Sequence, residues 1–527
     1  MSNKRLIVTG IVLLCELVFI VYLVPSNVVW ICFGIGAATA SYFMLMAMKS
    51  KRSRTRENSK MINMLPILST VLPFVFGWLT LHTGYFATAL AVLLTALTIE
   101  FFSNFLALPL CLYHKYLETK SSRKKIDSWP SVTVIVPAHN EENVIERCIE
   151  ALLEVDYPKK EIIVVDDGSI DLTYDMATKF EKRNVKVFRR PRAGGKSAAL
   201  NTGILFAKGE IIVTCDADSL ISRRALRMIM RRFEDPMVSA VAGNVEILNR
   251  TNLVTKCQAL EYIINENIYR RVFDIFGVVP VVPGPLAAFR KSALKEIGFY
   301  DRDTITEDFD ITVKVLKTGK VVQALSDAYV YTEAPTTWKD FYKQRIRWNK
   351  GTFQTLIKHK NVFGNPRFGF VHNLAFPYVL LSMLFIPFAS VVSIVSIIVA
   401  VVTGFGLSVL SVMAGFILLH ATYSFLAIQM DNEDLKLLVL SPLFVVGYKE
   451  VLNFIKIKSF IDILFKKEAK WGEIKRVGKM AELIRNITTT QAHDHPEQPK
   501  PDTETTCNSL SPLSSSSKKL EIEEYKP

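Results

Sequence analysis

The chain has 527 residues, half of them hydrophobic, and a formal charge of +14 at pH 7. A water-soluble protein of this length is rarely so apolar, and the length accommodates several domains, so a single small soluble domain is excluded. Seven cysteines, at positions 15, 32, 111, 148, 215, 257 and 507, form no Cys-x-x-Cys pair; that excludes a zinc or disulfide framework and suits a reducing cytoplasm.

In chain order, apolar runs come first. A helix needs about 20 apolar residues to cross a bilayer, and 6–24, 28–48, 62–81 and 86–112 all qualify. The first is expected to be a span, because three more follow closely and no small-residue cleavage site is evident. Stretch 49–60 carries Lys49, Lys51, Arg52, Arg54, Arg56 and Lys60, and stretch 114–125 carries Lys115, Lys120, Arg123, Lys124 and Lys125, whereas the linker 25–27 has no basic residue. Basic clusters beside spans mark the cytoplasmic side. The four helices therefore form two hairpins with the N-terminus inside. The basic excess expresses membrane topology and not nucleic-acid binding, since no recognition motif accompanies it. Glu16 and Glu100 fall inside apolar runs; charges there line a wet path or pair with other helices.

From 131 to about 360 the pattern changes. β-branched runs at 132–136, 161–165, 185–188 and 210–214 alternate with helical patterns starting near Glu141, Leu172, Lys196 and Ser222. Such alternation predicts a mostly parallel sheet with helices on both faces. Ligands in such folds bind beyond the carboxyl ends of the strands.

Each of those ends carries polar residues. The first reads VPAHNEE, where Pro137 is expected to stop the ladder and Asn140 or Glu141 to start a helix. The second reads DDGSIDLT, and its adjacent acids would be costly to bury without partners, which a nucleotide's base and ribose offer. RAGGKSAALN places a Gly pair and Lys196 at a helix start, where backbone amides and the ammonium suit phosphate, although this is not a Walker loop. The fourth end reads TCDADS; alternation along a strand would point Asp216 and Asp218 the same way, and two such acids repel unless a divalent cation sits between them and a ligand.

Further on, TEDFD sets Glu307 and Asp308 at a helix N-terminus with Thr306 as the cap. Acids are favoured there in any case; the functional alternative is a general base that takes a proton from an attacking hydroxyl. In QRIRW, Gln344, Arg347 and Trp348 stand at i, i+3 and i+4 on one helix face. Amide and guanidinium suit phosphate oxygens and indole suits a sugar ring; the alternative is an interfacial helix with its Arg in the headgroups and its Trp in the aromatic belt. Apolar stretches 374–402 and 407–429 follow, then a weaker one at 437–465 that either spans or lies at the interface. The tail from 487 is rich in Thr, Ser, Pro and acids and lacks the apolar content to fold.

In their order, PAHNEE, DDGSIDLT, GGKSAALN, DADS, TED and QRIRW resemble the membrane-embedded processive glycosyltransferases of family 2, the group of poly-N-acetylglucosamine, hyaluronan, chitin and cellulose synthases. The resemblance implies an α/β GT-A domain, Rossmann-like with a mostly parallel sheet, cytoplasmic and inserted between two groups of transmembrane helices. It implies these regions: 1–113, four transmembrane helices; 114–130, a basic linker; 131–335, the GT-A domain; 336–366, an interfacial helix with QRIRW; 367–465, a second transmembrane and interfacial region; 466–486, a basic juxtamembrane segment; 487–527, the disordered tail. It further implies a multi-pass cell-membrane enzyme that inverts configuration at a UDP-sugar, first UDP-GlcNAc and second UDP-glucose, to extend and help export a β-linked polysaccharide.

By the same resemblance, Pro137, Asn140, Glu141, Asp167, Lys196, Asp216, Gln344 and Arg347 line the donor site. Asp216 and Asp218 hold Mg²⁺ or Mn²⁺, with Asp218 the direct ligand. Asp308 is the catalytic base with Glu307 beside it. Trp348 and Gly284, the latter in VPGPLAAFR, meet the acceptor. Implied partners are the nucleotide sugar, a glycan or glycolipid acceptor, membrane lipid and an accessory subunit for export, with no nucleic acid. KWGEIKR at 470–476 resembles a segment that covers the nucleotide in hyaluronan-synthase-like members, and equally reads as a basic anchor. The rival reading is a single-transfer enzyme acting on a lipid acceptor.

Overall fold

A computed structural model describes residues 107, 110–118 and 128–465. The readings of the four N-terminal spans, of Glu16 and Glu100, of 470–476 and of the tail lie outside those residues.

The strand-and-helix alternation folds as its periodicity dictates. Strands β1 (Val132–Ala138), β2 (Lys160–Asp166), β3 (Val185–Arg189) and β4 (Ile211–Thr214) alternate with helices α1 (Ile145–Glu154), α2 (Thr173–Thr178) and α3 (Lys196–Phe206). After them come β5 (Leu220–Ile221), α4 (Ala225–Met230), β6 (Val238–Ile247), α5 (Leu253–Glu261), α6 (Arg270–Ile275), β7 (Ala287–Arg290), α7 (Lys291–Ile297), α8 (Glu307–Lys317), β8 (Val321–Thr332) and α9 (Trp338–Lys358). The eight strands form one sheet in the order β3-β2-β1-β4-β7-β6-β8-β5. β3, β2, β1 and β4 run parallel, as do β6 and β8, while β7 and β5 are antiparallel to their neighbours. This is the α/β, Rossmann-like GT-A arrangement, and it inserts β7 between β4 and β6.

Both faces of the sheet are covered. Along β1, Val132, Val134 and Val136 enter one apolar cluster and Ile135 enters the other. Strands buried on two faces read as continuous β-branched runs, which is why VTVIV and EIIVV stood out in the sequence. Pro137 does not end β1: the strand continues to Ala138 against β2. Ile135 presents its carbonyl to Cys215 on the β4 side. Backbone groups alternate sides along a strand, so the missing N–H of Pro137 falls on that side, beyond Thr214 where β4 ends. The next helix starts at Ile145, four residues after Glu141, whose carbonyl accepts the amides of Val144 and Ile145.

Among the described residues, three helical stretches are long and apolar enough to cross a membrane: Val371–Val402, Gly406–Asp431 and Leu435–Leu464. We label the regular helices within them α10 (Ile386–Val402), α11 (Gly406–Asp431) and α12 (Lys449–Leu464). On α10, Phe388, Val392, Val395, Val399 and Val402 are exposed at spacings of three and four, a continuous apolar stripe.

α9 joins the sheet domain to these helices. The Lys350 ammonium meets Asp462 of α12 at 3.1 Å, with both side chains buried. On its other side α9 presses on the segment before α8: a Cβ on Gly351 would come within 2.4 Å of Thr306 Cγ2. Overpacking a tight contact costs about 1–3 kcal/mol. Gly351→Ala is therefore expected to lower the melting temperature by several degrees, measured by thermal denaturation in detergent, and to weaken turnover by shifting α9 against α8.

Candidate active site

The loops that leave β1 and β2 are stitched together. Asn140 adopts the left-handed conformation with φ 56°, its amide donates to Ser169 Oγ at 2.9 Å and its Oδ1 accepts the Ile170 amide at 3.0 Å. The Glu141 amide donates to Thr173 Oγ1 at 2.7 Å. Asp167 is buried at the centre. Its carboxylate accepts the amides of Gly194 at 3.0 Å and Gly195 at 2.7 Å and pairs with Arg190. The Gly-Gly amides, which the sequence alone suggests for phosphate, thus satisfy a buried acid here and fix the start of α3. Arg190 carries no motif signal, and sequence reasoning missed it.

Lys196, first residue of α3, reaches across the sheet's carboxyl edge. Its Nζ lies 2.6 Å from Asp216 Oδ1 and 3.1 Å from Glu307 Oε1. Gly284 closes the same spot, because a Cβ there would fall 2.5 Å from Lys196 Nζ and 3.4 Å from both Asp216 oxygens. Its carbonyl is fixed by Thr214 Oγ1 at 2.8 Å. Residues from four distant parts of the chain therefore converge. The strand-alternation argument for Asp216 and Asp218 does not hold, because β4 stops at Thr214 and 216–219 form a turn in which Ser219 N donates to Asp216 O. Asp218 Oδ1 accepts the Ser219 hydroxyl at 3.1 Å.

Thr306 occupies the N-cap position of α8 but makes no side-chain cap bond; its hydroxyl lies 3.4 Å from Thr355 of α9 instead. Asp308 bonds the Phe309 amide at 2.8 Å. Burial, and then the neighbouring Glu307 charge, push the Asp308 carboxyl up to about 6. Burial disfavours the Lys196 charge, but Asp216 and Glu307 outweigh it and hold the ammonium firmly protonated. Tyr300, unremarked in the sequence, is buried beside these groups, and burial followed by Glu307 raises its phenol. Asn201 of α3 clamps Tyr300 at both ends, donating to its carbonyl at 2.8 Å and accepting its amide at 3.0 Å. Phe299 before it is held at φ 65°, a costly conformation for a bulky residue.

A carboxyl raised to about 6 is half-protonated there and is an effective base only above it. If Asp308 is the base, the pH–rate profile should fall through an acid limb near pH 6, well above an ordinary carboxylate. Glu307→Gln removes the second cause of the rise, so its limb is expected at lower pH, read from initial rates between pH 4.5 and 8.

α9, which carries QRIRW, packs through its later turns on the segment just before Glu307. Ile305 N donates to Gln354 Oε1 at 3.2 Å, and Gly351 abuts Thr306. One turn back on the Gly351 face stand Arg347 and Trp348, and two turns back stands Gln344. Among the described residues, Gln344 Oε1 is buried with no hydrogen-bond partner. Trp348 packs against the core beside Arg345.

Hard divalent ions take carboxylate oxygens. Asp216 and Asp218 supply these in the turn after β4, where Asp216 Oδ1 already faces the Lys196 cation, so the chemistry of this donor set suits Mg²⁺ or Mn²⁺. Elsewhere among the described residues, Asp301, Asp303 and Asp310 bring ligand oxygens within 4.8 Å of one another. Lys358 Nζ already serves them at 2.8, 2.6 and 3.0 Å, so that trio is an ion-pair brace between α9 and the α8 region.

Residues 133–298 match the model of Glycosyl transferase family 2. A poly-beta-1,6-N-acetyl-D-glucosamine synthase of Staphylococcus aureus is 30% identical over 246 residues, 46% of this chain and 60% of that protein. The Staphylococcus epidermidis protein of that name is 29% identical over 248 residues, again 60% of its length. The alignments thus span 60% of these relatives. Among solved structures, the mannosyltransferase PcManGT from Pyrobaculum calidifontis, in complex with GDP-Man and Mn²⁺, is similar at 22% identity, with a TM-score of 0.49, over 72% of this chain and all of that one.

Proposed function

We propose, from a chain that carries a glycosyl transferase family 2 domain, that this protein transfers a sugar from a UDP-sugar, first UDP-GlcNAc and second UDP-glucose, to a growing β-linked polysaccharide. We place the sheet domain in the cytoplasm against the inner face of the membrane, with processive extension and export through the membrane helices. The observation that carries this reading is the meeting of Lys196, Asp216, Glu307 and Gly284 at one point, with the QRIRW helix packed on the segment before Glu307. The poly-GlcNAc synthase relatives support the choice of sugar.

In this reading Asp167 and the loops around Pro137, Asn140 and Glu141 hold the nucleotide. Lys196, Gln344 and Arg347 hold the diphosphate, Gln344 through the donors of its side-chain NH2. Trp348 and Gly284 support the acceptor's terminal sugar. Mg²⁺ or Mn²⁺, bound by Asp218 with Asp216, would neutralise charge on the diphosphate. Asp308 takes the proton from the acceptor hydroxyl, whose oxygen then attacks the anomeric carbon opposite the leaving UDP and inverts its configuration. The raised Asp308 carboxyl suits a base that must hold a proton briefly. Cations at Lys196 and Arg347 stabilise the departing diphosphate.

The test supplies the purified full chain in lipid vesicles with each of several radiolabelled UDP-sugars and Mg²⁺ or Mn²⁺. Labelled polymer from UDP-GlcNAc, sized by gel and lost with EDTA, is expected. A lipid carrying a single sugar would favour the rival reading, and absence of transfer from every donor would refute both.

A further inference from the structure

Arg345, the second residue of QRIRW, is 7% exposed and stands three residues before Trp348, a neighbour of it on the helix surface. Its guanidinium lies 4.5 Å from the Trp348 ring centroid, 4.9 Å from that of Phe341 and 6.0 Å from that of Tyr262. A planar cation against an indole fixes the ring's tilt as well as its position. The guanidinium is itself held: Nη2 donates to Glu261 Oε2, the last residue of α5, at 2.8 Å. The same oxygen accepts the Tyr448 hydroxyl at 2.6 Å. Arg345, Glu261 and Tyr448 are all buried, so neither bond competes with bulk water, and a buried ion pair of this kind is costly to break.

Tyr448 is the residue from which α12 departs. Immediately before it the backbone leaves helical geometry, with Val446 at φ −115° and ψ 75° and Gly447 at φ 136°. Tyr448 also packs on Phe341 at 5.7 Å and on Trp338 at 6.3 Å between centroids. One carboxylate oxygen therefore joins the QRIRW helix, the sheet domain's α5 and the start of a membrane helix.

We propose that Arg345, held by Glu261 and Tyr448, is a positioning residue that sets the plane of the Trp348 indole and ties that shelf to the membrane helix beginning at Tyr448. The inference rests on Trp348 as the acceptor's support. Arg345→Lys keeps the charge and a bond to Glu261 but loses the planar stack. It is expected to keep the melting temperature within a few degrees and the donor KM within about two-fold. Turnover should fall about ten-fold, the scale of one lost cation–π contact, and the polymer should shorten. Arg345→Lys combined with Trp348→Phe should be no worse than Trp348→Phe alone. Losses that multiply, or a donor KM that rises as turnover falls, would overturn the proposal.

A second readout does not depend on turnover. The Trp348 contribution to fluorescence, taken as wild type minus Trp348→Phe, should shift and become more open to acrylamide quenching in Arg345→Lys. An unchanged contribution overturns the positioning role even if no UDP-sugar is turned over, a result that would separately refute the proposed function. Tyr448→Phe removes one hydroxyl from Glu261, should move the same signal in the same direction by less, and serves if Arg345→Lys does not fold.

Discussion

Asp308→Asn should reduce sugar transfer by about 10²–10⁴-fold, the usual loss with a general base, while the protein stays folded and still binds UDP. The side chain keeps its size and can still accept the Phe309 amide, so the fold has no reason to fail. The substitution also removes a recessed charge that Glu307 repels and burial disfavours. Since that carboxyl is raised in the folded state, its ionisation costs stability as pH climbs through about 6. The asparagine variant should therefore equal or exceed the wild type in thermal stability at pH 7.5, with the difference shrinking towards pH 4.5. Near-normal transfer from a well-folded variant would show that another group takes the proton. Transfer rate and melting temperature on one preparation, at both pH values, decide between these.

Lys196→Ala is expected to have the second large effect, with the opposite sign for stability. Lys196 stands between Asp216 and Glu307 and within the field of Asp308. Without it three carboxylates face one another with their shared cation gone. Losing one partner of a buried ion pair costs about 3–5 kcal/mol; this lysine is partly solvated, so a smaller loss is expected. Asp308, whose carboxyl Lys196 helps to hold down, should then keep its proton to higher pH, so the destabilisation should be greatest at pH 8 and smaller near pH 5. Mn²⁺ should restore part of the stability at pH 8 if Asp216 and Asp218 hold a divalent ion. Transfer should stay at least about a hundredfold down, on the scale of one lost electrostatic contact to developing charge. A melting temperature that ignores both pH and Mn²⁺ would show that Lys196 does not balance these acids.

Much of this organisation was written in periodicity. The four parallel strands were legible because strands buried on both faces must be β-branched throughout, and β1 to β4 lie within two residues of the runs at 132–136, 161–165, 185–188 and 210–214. The later strands were not legible. β7 is the short AAFR, and β6 carries Gly243, which packs so closely on Leu286 that a Cβ would fall 2.4 Å away; neither resembles a strand until its partners are known. Pro137 misled because its effect depends on which side of β1 its nitrogen faces, and only the pairing with β2 and β4 decides that. The turn at 216–219 misled for a related reason: alternation holds only while a ladder continues.

By itself the sequence determined which groups are present at the strand ends: carboxylates, a lysine after two glycines, and a helix with amide, guanidinium and indole on one face. Local rules suffice for that, since caps, strand ends and helical spacing act over a few residues. Only the tertiary structure decided which of these groups meet. Lys196 finds Glu307 across more than a hundred positions, and Glu261, Arg345 and Tyr448 find one another from three separate helical segments. Such pairings repay their loss of chain entropy only when the whole core condenses around them, and no local pattern records that.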